Sequence, residues 1–364
     1  MADKVKKNLS ESSRNDEPIA EKQSSTDPRR WRSRTEQRLR KLQFLEKNGG
    51  PSATPSLADH VETSLQLVLN GKAPADLTLH QSLVLRPQAP MPWCRDEPDE
   101  NNRVPLIRHL STPRGISLQV LLLALLLEQA KSQGRRGAPT PVPVSPTRRD
   151  PHRQIAWTDL VAVYTEDTTA KYGSTHTAGH EAKRLRQVKT ALEALDSVGM
   201  VAIADPKARK RYENFRVLAE GVDNHNRRVR YRLPNPEESF TVPAALVVNG
   251  WAGVLTPSEL TLFLVLAYLD SRQTPTSPPI DLPPAKREGL FAFGKETFEA
   301  HKTLRLFGLI NTTRDGRREY DYTRDFHQGG PGDPHTFDLI ASGLDEPAIP
   351  VMIDALELML QSTV

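Results

Sequence analysis

The tetrapeptide Thr256-Pro257-Ser258-Glu259 and the apolar run behind it constrain this chain more than any other stretch. A Thr that accepts from the third backbone N–H of a helix, answered by a Glu at that position, is a capping box. Pro suits the first turn because its missing N–H has no partner there. Residues 260–269 are apolar on most sides. A helix without a polar face has to be buried, so a core must form around it. After a Pro-rich connection, residues 286–291 suit a second short helix, Phe293-Gly294 a turn, and residues 296–307 a third helix. Phe298, His301, Leu304 and Phe307 fall on one face of that helix. Gly308 stands where a left-handed cap ends it. Residues 309–313 then alternate as a strand, Asp315-Gly316 is a two-residue hairpin signal, and residues 317–322 return.

The same order occurs earlier in the chain. Ser117 opens residues 118–128, as densely apolar as residues 259–269. Residues 157–164 read as a second helix, and residues 179–198 as a third with Leu185, Val188, Leu192 and Leu195 inward. Residues 187–201 align with residues 296–310. In both, a Leu lies four residues before a Gly and an apolar pair follows: Leu195, Gly199, Met200, Val201 against Leu304, Gly308, Leu309, Ile310. The first copy is longer because residues 132–153 insert a Pro- and Arg-rich loop. The spacing is too long for a solenoid, so this is an internal duplication.

Three helices and a hairpin with a basic tip resemble the winged helix-turn-helix superfamily of DNA-binding proteins. The fold expected is mainly α with small β-hairpins: two tandem winged helix-turn-helix domains, a disordered basic N-terminal arm and a C-terminal helix. The corresponding spans are 1–55, disordered with a basic arm at 29–47; 56–238, the first winged helix with an N-terminal helix and the insertion; 239–328, the second; and 329–364, a linker and amphipathic helix. Residues 1–28 are too poor in apolar side chains to pack.

In the resembled family the third helix enters the major groove and the wing lies on the adjacent backbone or minor groove. Carried over, those roles fall on Lys183, Arg186, Gln187, Lys189 and Thr190, with wing residues Lys207, Arg209, Lys210 and Arg211. In the second copy they fall on Lys295, Lys302, Thr303 and Arg305, with wing residues Arg314, Arg317 and Arg318. The residues themselves add to this set. Arg184 lies on an outer face of the first third helix, and Arg228, Arg230 and Arg232 alternate with Val229, Tyr231 and Leu233 as the outer face of a half-buried strand. Arg, Lys, Gln and Thr bond phosphates and base edges. Arg29, Arg30, Arg32 and Arg34 open a basic segment that can lie along phosphates and gain affinity by counterion release. Glu296 and Glu299 depart from the pattern by repelling phosphate, so the first copy is the expected main contact.

Composition narrows the class. Net charge is only +4, yet no Lys or Arg follows Arg324, so the basic residues are concentrated away from the C-terminus. A single cysteine, Cys94, excludes an internal disulfide framework and fits a reducing compartment. The longest apolar run, residues 118–127, is about half of the ~20 residues a membrane span needs. No membrane partner is expected, and the location expected is cytoplasmic and nucleoid-associated. Residues 289–295 spell G-x-x-x-x-G-K, but Glu296 stands where Ser or Thr should hold magnesium and bulky side chains fill the loop. His176 and His180 lack further ligands for tetrahedral coordination. No catalytic residues, cofactor or metal site are expected, and the chain is read as a non-enzyme.

The function expected is double-stranded DNA binding, as a transcriptional regulator using tandem winged helices plus a basic arm. Tandem winged helices also occur in plasmid-type replication initiators, and as protein-binding modules of chromosome-organising or regulatory complexes, so both alternatives stay open. Ile353, Leu356, Leu358 and Leu360 make the C-terminal helix too apolar to stand alone. It either docks on the second copy or contacts a second chain or a protein partner.

Overall fold

The computed structural model describes residues 28–47, 56–87, 104–111, 115–133, 142–145, 155–162, 176–204, 207, 211–213, 215–219, 229–313 and 336–362. They are mainly helical, with small antiparallel sheets. The buried side chains form one cluster that runs from Leu42 to Leu356, so both halves of the chain share a core.

Two capping boxes start helices as their sequences require. Ser56 and Asp59 start α2 (Leu57–Leu69), and Thr256 and Glu259 start α8 (Pro257–Ser271), where Thr256 N–H donates to Glu259 Oε2 at 2.8 Å. In α8 every residue from 259 to 267 is buried, the consequence of an apolar sequence with no polar face. α4 (Ser117–Gln133) is its counterpart in the first half, with residues 120–127 all buried.

α1 (Pro28–Lys47) precedes these elements. It was expected as a basic arm inside a disordered region, with Trp31, Leu39, Leu42 and Leu45 near helical spacing; it is a helix docked by Leu42 and Leu45. The arginines dominate its composition, but the apolar residues recur on one face and decide its fate. Its closest neighbour is the last helix, α12 (Ala348–Ser362), where Gln43 donates to Glu357 at 2.9 Å. α12 also packs on α7 (Trp251–Val254), burying Ala348, Ile349, Met352, Ile353 and Leu356.

β1 (Asp76–His80) pairs antiparallel with β4 (Ser239–Pro243) in the register Leu77 to Val242 and Leu79 to Phe240. This ladder ties residues expected in the first module to the segment that opens the second. Between these strands lie α3 (Leu106–Leu110), α4, a 3-10 turn at Trp157–Asp159, α5 (His176–Ser197), β2 (Val201–Ala202) and β3 (Arg216–Val217). The second helix expected at 157–164 is described only as that short turn, with Asp159 Oδ2 accepting from Ala156 N–H at 3.0 Å. α6 (Ala245–Val248) and α7 lead into α8.

After α8 come β5 (Ile280–Asp281), α9 (Pro284–Leu290), α10 (Lys295–Phe298), α11 (His301–Leu306), β6 (Ile310–Thr313) and β7 (Thr336–Leu339). Their sheet has the order β5-β7-β6, with β7 antiparallel to both neighbours. The expected return strand at 317–322 and the Asp315-Gly316 turn lie outside the described residues. The described partner of β6 is β7, within the span read as a linker and tail.

The single third helix expected at 296–307 is divided into α10 and α11. His301 Nδ1 donates to the Phe298 carbonyl at 2.7 Å, taking the acceptor that Lys302 N–H would use in an unbroken helix. Lys302 N–H turns to the Glu299 carbonyl instead, and the helix tightens at that point. Both third helices end alike. Met200 N–H donates to Leu195 O at 2.9 Å past Gly199 (φ 75°), and Leu309 N–H to Leu304 O at 3.0 Å past Gly308 (φ 72°). Each then enters a strand, β2 or β6.

Candidate nucleic-acid interface

α5 owes its position to Val188, Ala191, Leu192 and Leu195, which are buried against α4. Burial of that stripe turns Ala182, Arg186, Thr190 and Glu193 outward at helical spacing. Arg186 has no ion-pair partner among the described residues. An arginine held on a rigid helix with its fork unengaged can meet a phosphate or the acceptor edge of guanine.

Glu193 fixes the neighbouring loop. Its Oε1 accepts from Arg211 Nη2 at 2.8 Å and from the Tyr212 hydroxyl in a short hydrogen bond. Arg211 also lies over the Tyr212 ring at 4.6 Å, and Lys189 Nζ approaches the same ring at 5.4 Å. The Glu193 hydrogen bond, with smaller effects of burial and charge, raises the Tyr212 pKa, which keeps the hydroxyl a donor. Arg211 and Tyr212, ahead of β3, are therefore tied to the exposed side of α5.

The strands after that loop carry arginines on one face. Val201 pairs with Val217, Ala202 with Arg216, and Leu218 with Arg230. Residues opposed in an antiparallel pair share a face, and successive pairs alternate. Val217 and Tyr231 consequently point inward, where Gln129 Nε2 donates to the Tyr231 hydroxyl at 2.8 Å. Arg216 and Arg230 lie on the other face together with Leu218, which is buried, and the same alternation carries Arg232 there; the three arginines are exposed at the margin of that face. Arg216 escaped the sequence reading. The Phe215-Arg216-Val217 alternation was its only signal, and it is too short to stand out.

The other expected residues divide. Arg184 Nη1 reaches the Thr158 carbonyl at 3.3 Å and braces the 3-10 turn. Gln187 is half-buried, with its Oε1 enclosed. Lys183 is half-exposed and Lys207 exposed. Arg209, Lys210, Arg228, Arg314, Arg317 and Arg318 lie outside the described residues, as do the side chains of Arg29, Arg30, His176 and His180. Arg32 pairs with Glu36 at 3.3 Å, and Arg34 is exposed.

The second third-helix region is different in character. Lys295 and Arg305 are exposed, but they sit on separate short helices. Lys302 is ion-paired to Glu299. Thr303 donates to the Ala300 carbonyl at 3.0 Å and lies toward Glu259 and α1, so it is not on an open outer face. Around the G-x-x-x-x-G-K stretch, Phe291 and Phe293 are buried with stacked rings 6.2 Å apart, and they occupy the space a phosphate would need.

Among the described residues no group of three His, Cys, Asp or Glu side chains is placed to hold a metal, and no helix is long and apolar enough to cross a membrane. Comparison with protein-family models, curated proteins and solved structures finds no match for this chain.

Proposed function

We propose that the chain is a double-stranded DNA-binding protein built on two winged-helix modules, with the first making the main contact. α5 lies along the major groove, and the ribbon of β2, β3 and the Arg230 segment meets the flanking backbone. The observation that supports this reading is the exposed set Arg186, Thr190, Arg216 and Arg230 on α5 and the strands that follow it, with Arg211 and Tyr212 between them bonded to Glu193 of α5. The winged-helix reading of the second module is supported by its element order, helix, strand, three short helices of which α10 and α11 are the divided third helix, and two strands, with the last strand central in the sheet.

A transcriptional regulator is the role this surface serves most simply, since it needs only stable duplex binding. A protein-binding adaptor role for the second module has its own support: Glu296 is exposed and Lys302 is neutralised by Glu299, which leaves little net attraction for phosphate there. Selection of bound duplexes from a random library by the purified chain tests the proposal. Enrichment of a defined site supports it. Failure to retain any duplex at low salt refutes DNA binding and leaves the adaptor reading.

A further inference from the structure

Residues 76–86 strap the two halves of the chain together. β1 pairs with β4, and the 3-10 turn Gln81–Leu83 follows at once. Arg86 then closes on α9, its N–H donating to the Leu290 carbonyl at 2.8 Å and its Nη2 to the Glu288 carbonyl at 3.0 Å. Leu83 and Val84 are buried, so the turn is fixed in the core. Arg272, past the end of α8, holds its outer side through Gln81 Oε1 at 3.4 Å and the carbonyls of Glu237 and Ser239 at 3.0 and 3.1 Å.

His80 starts this turn. Its Nδ1 accepts from Ser82 N–H at 3.1 Å, the role that Ser, Asp or Asn fills at most helix starts. A backbone N–H can only donate, so Nδ1 is bare and the imidazole proton sits on Nε2. Ser82 Oγ lies 2.8 Å from the same Nδ1. Nε2 faces Glu238 Oε2 at 3.8 Å, and Glu238 is exposed, so water screens that pair. Protonation turns Nδ1 into a donor. The Ser82 hydroxyl can still accept from it, but the Ser82 N–H is stranded beside a cation on a side chain only 20% exposed.

We propose that His80 is a proton-operated catch on this strap: neutral, it caps the turn and holds the β1–β4 joint; protonated, it releases the cap and loosens the joint. The groups facing it are Ser82 and Gln81 of the turn, Glu238 ahead of β4 and, beyond Gln81, Arg272. Asp76 shares its face of β1 at the far end of the strand, and α3, which packs on the turn, carries Arg108 and His109, both exposed. Burial outweighs the attraction of Glu238 and holds the His80 pKa below its ordinary value of 6.5. The neutral ring therefore contributes stability above its unfolded pKa, and that contribution is lost as pH falls from about 6.5 through the folded pKa. The catch acts on the joint between the halves and does not depend on what the chain binds.

Nitrogen NMR and amide exchange of the full chain test it. At about pH 7.5 the ring is expected with its proton on Nε2. Between about pH 7.5 and 5.5 the Ser82, Val84 and Leu85 amides should exchange about fivefold faster, after correction for the intrinsic effect of pH. His80→Asn keeps an acceptor at the cap and does not titrate, so its exchange should stay level. His109, also held below its ordinary value by burial and Arg108, is unaltered in that variant, so any response it causes survives there. A proton found on Nδ1 at the higher pH, no acceleration in the native chain, or equal acceleration in His80→Asn overturns the proposal. If His80→Asn does not fold, the native chain decides: imidazole and Ser82 amide titrating with one midpoint sustain the catch, and separate midpoints refute it.

Discussion

Arg38 and Glu259 form a forked ion pair across 221 residues of sequence, with Nη1 to Oε1 and Nη2 to Oε2 both 2.6 Å. Glu259 is also the capping residue of α8, accepting from Thr256 N–H, so one carboxylate starts the central helix and anchors α1 to it. The guanidinium lies 4.9 Å from the Phe307 ring centroid, which brings the end of α11 into the same contact. The pair is buried, with side-chain exposures of 17% for Arg38 and 3% for Glu259. Removing one partner strands a charge; removing both does not. Arg38→Met or Glu259→Leu alone is expected to lower stability by about 3–5 kcal/mol, and the double variant by much less than the sum. Urea unfolding of the four-member cycle measures the difference.

The same pair sets a response to acid. Burial pushes the Glu259 carboxyl up, but the Arg38 charge and hydrogen bonds from Arg38, Thr303 and the Thr256 backbone together hold it below its ordinary value of 4.5. A carboxylate depressed in the folded state contributes stability above its unfolded pKa. That contribution is lost as pH falls through the folded pKa. Thermal melting of the native chain should therefore drop on acidification below about pH 4.5. Melting of the Arg38→Met/Glu259→Leu double variant should drop less over the same range.

Two glycines near the end of α11 are expected to differ when replaced by alanine. Gly308 holds φ 72°, and open space surrounds a built Cβ, so Gly308→Ala costs about 1 kcal/mol of backbone strain. A Cβ on Gly343 would stand 2.5 Å from the Gly308 carbonyl oxygen, against backbone that cannot yield cheaply. Gly343→Ala should cost about 1–3 kcal/mol, more than its neighbour. Denaturant midpoints at equal slope compare them.

Tyr212 donates to Glu193, touches two cations and packs, half-buried, at the margin of the core, where Phe keeps the ring. Tyr212→Phe is expected to shift stability by no more than about 1 kcal/mol. It loosens the loop against α5, so duplex affinity should fall while the melting curve stays close to the original. Paired gel-shift and melting measurements check both halves of that statement.

What was legible in the sequence was local. Thr256 and Glu259 are three residues apart, and their capping box forms as its spacing requires. The Leu-Gly signature at Leu195 and Leu304 ends two helices with the same hydrogen bond. Contacts between distant segments were not legible. Nothing near Arg38 indicates Glu259, and its arginine-rich surroundings read as a phosphate-binding arm until Leu42 and Leu45 are seen buried. β7 pairs with β6 across residues 314–335, a separation that no turn signal spans. The break at Glu299 depends on a side chain, His301, competing for a backbone acceptor, and helical periodicity carries no trace of that. At the candidate interface, Arg186 and Thr190 follow from the apolar stripe of α5, whereas Arg184 is drawn to the Thr158 carbonyl of another segment and Gln187 is half-buried.

The salt dependence of duplex affinity for the native chain and for Arg186→Ala/Arg216→Ala/Arg230→Ala is the most direct measurement. Each phosphate contact contributes a slope of about −0.9 in log K against log salt. The native chain should lose affinity linearly on that plot, and the triple variant should bind more weakly with a slope shallower by about two to three units. A native chain that binds no duplex at low salt, or a triple variant with an unchanged slope, would contradict the placement of DNA on α5 and its ribbon.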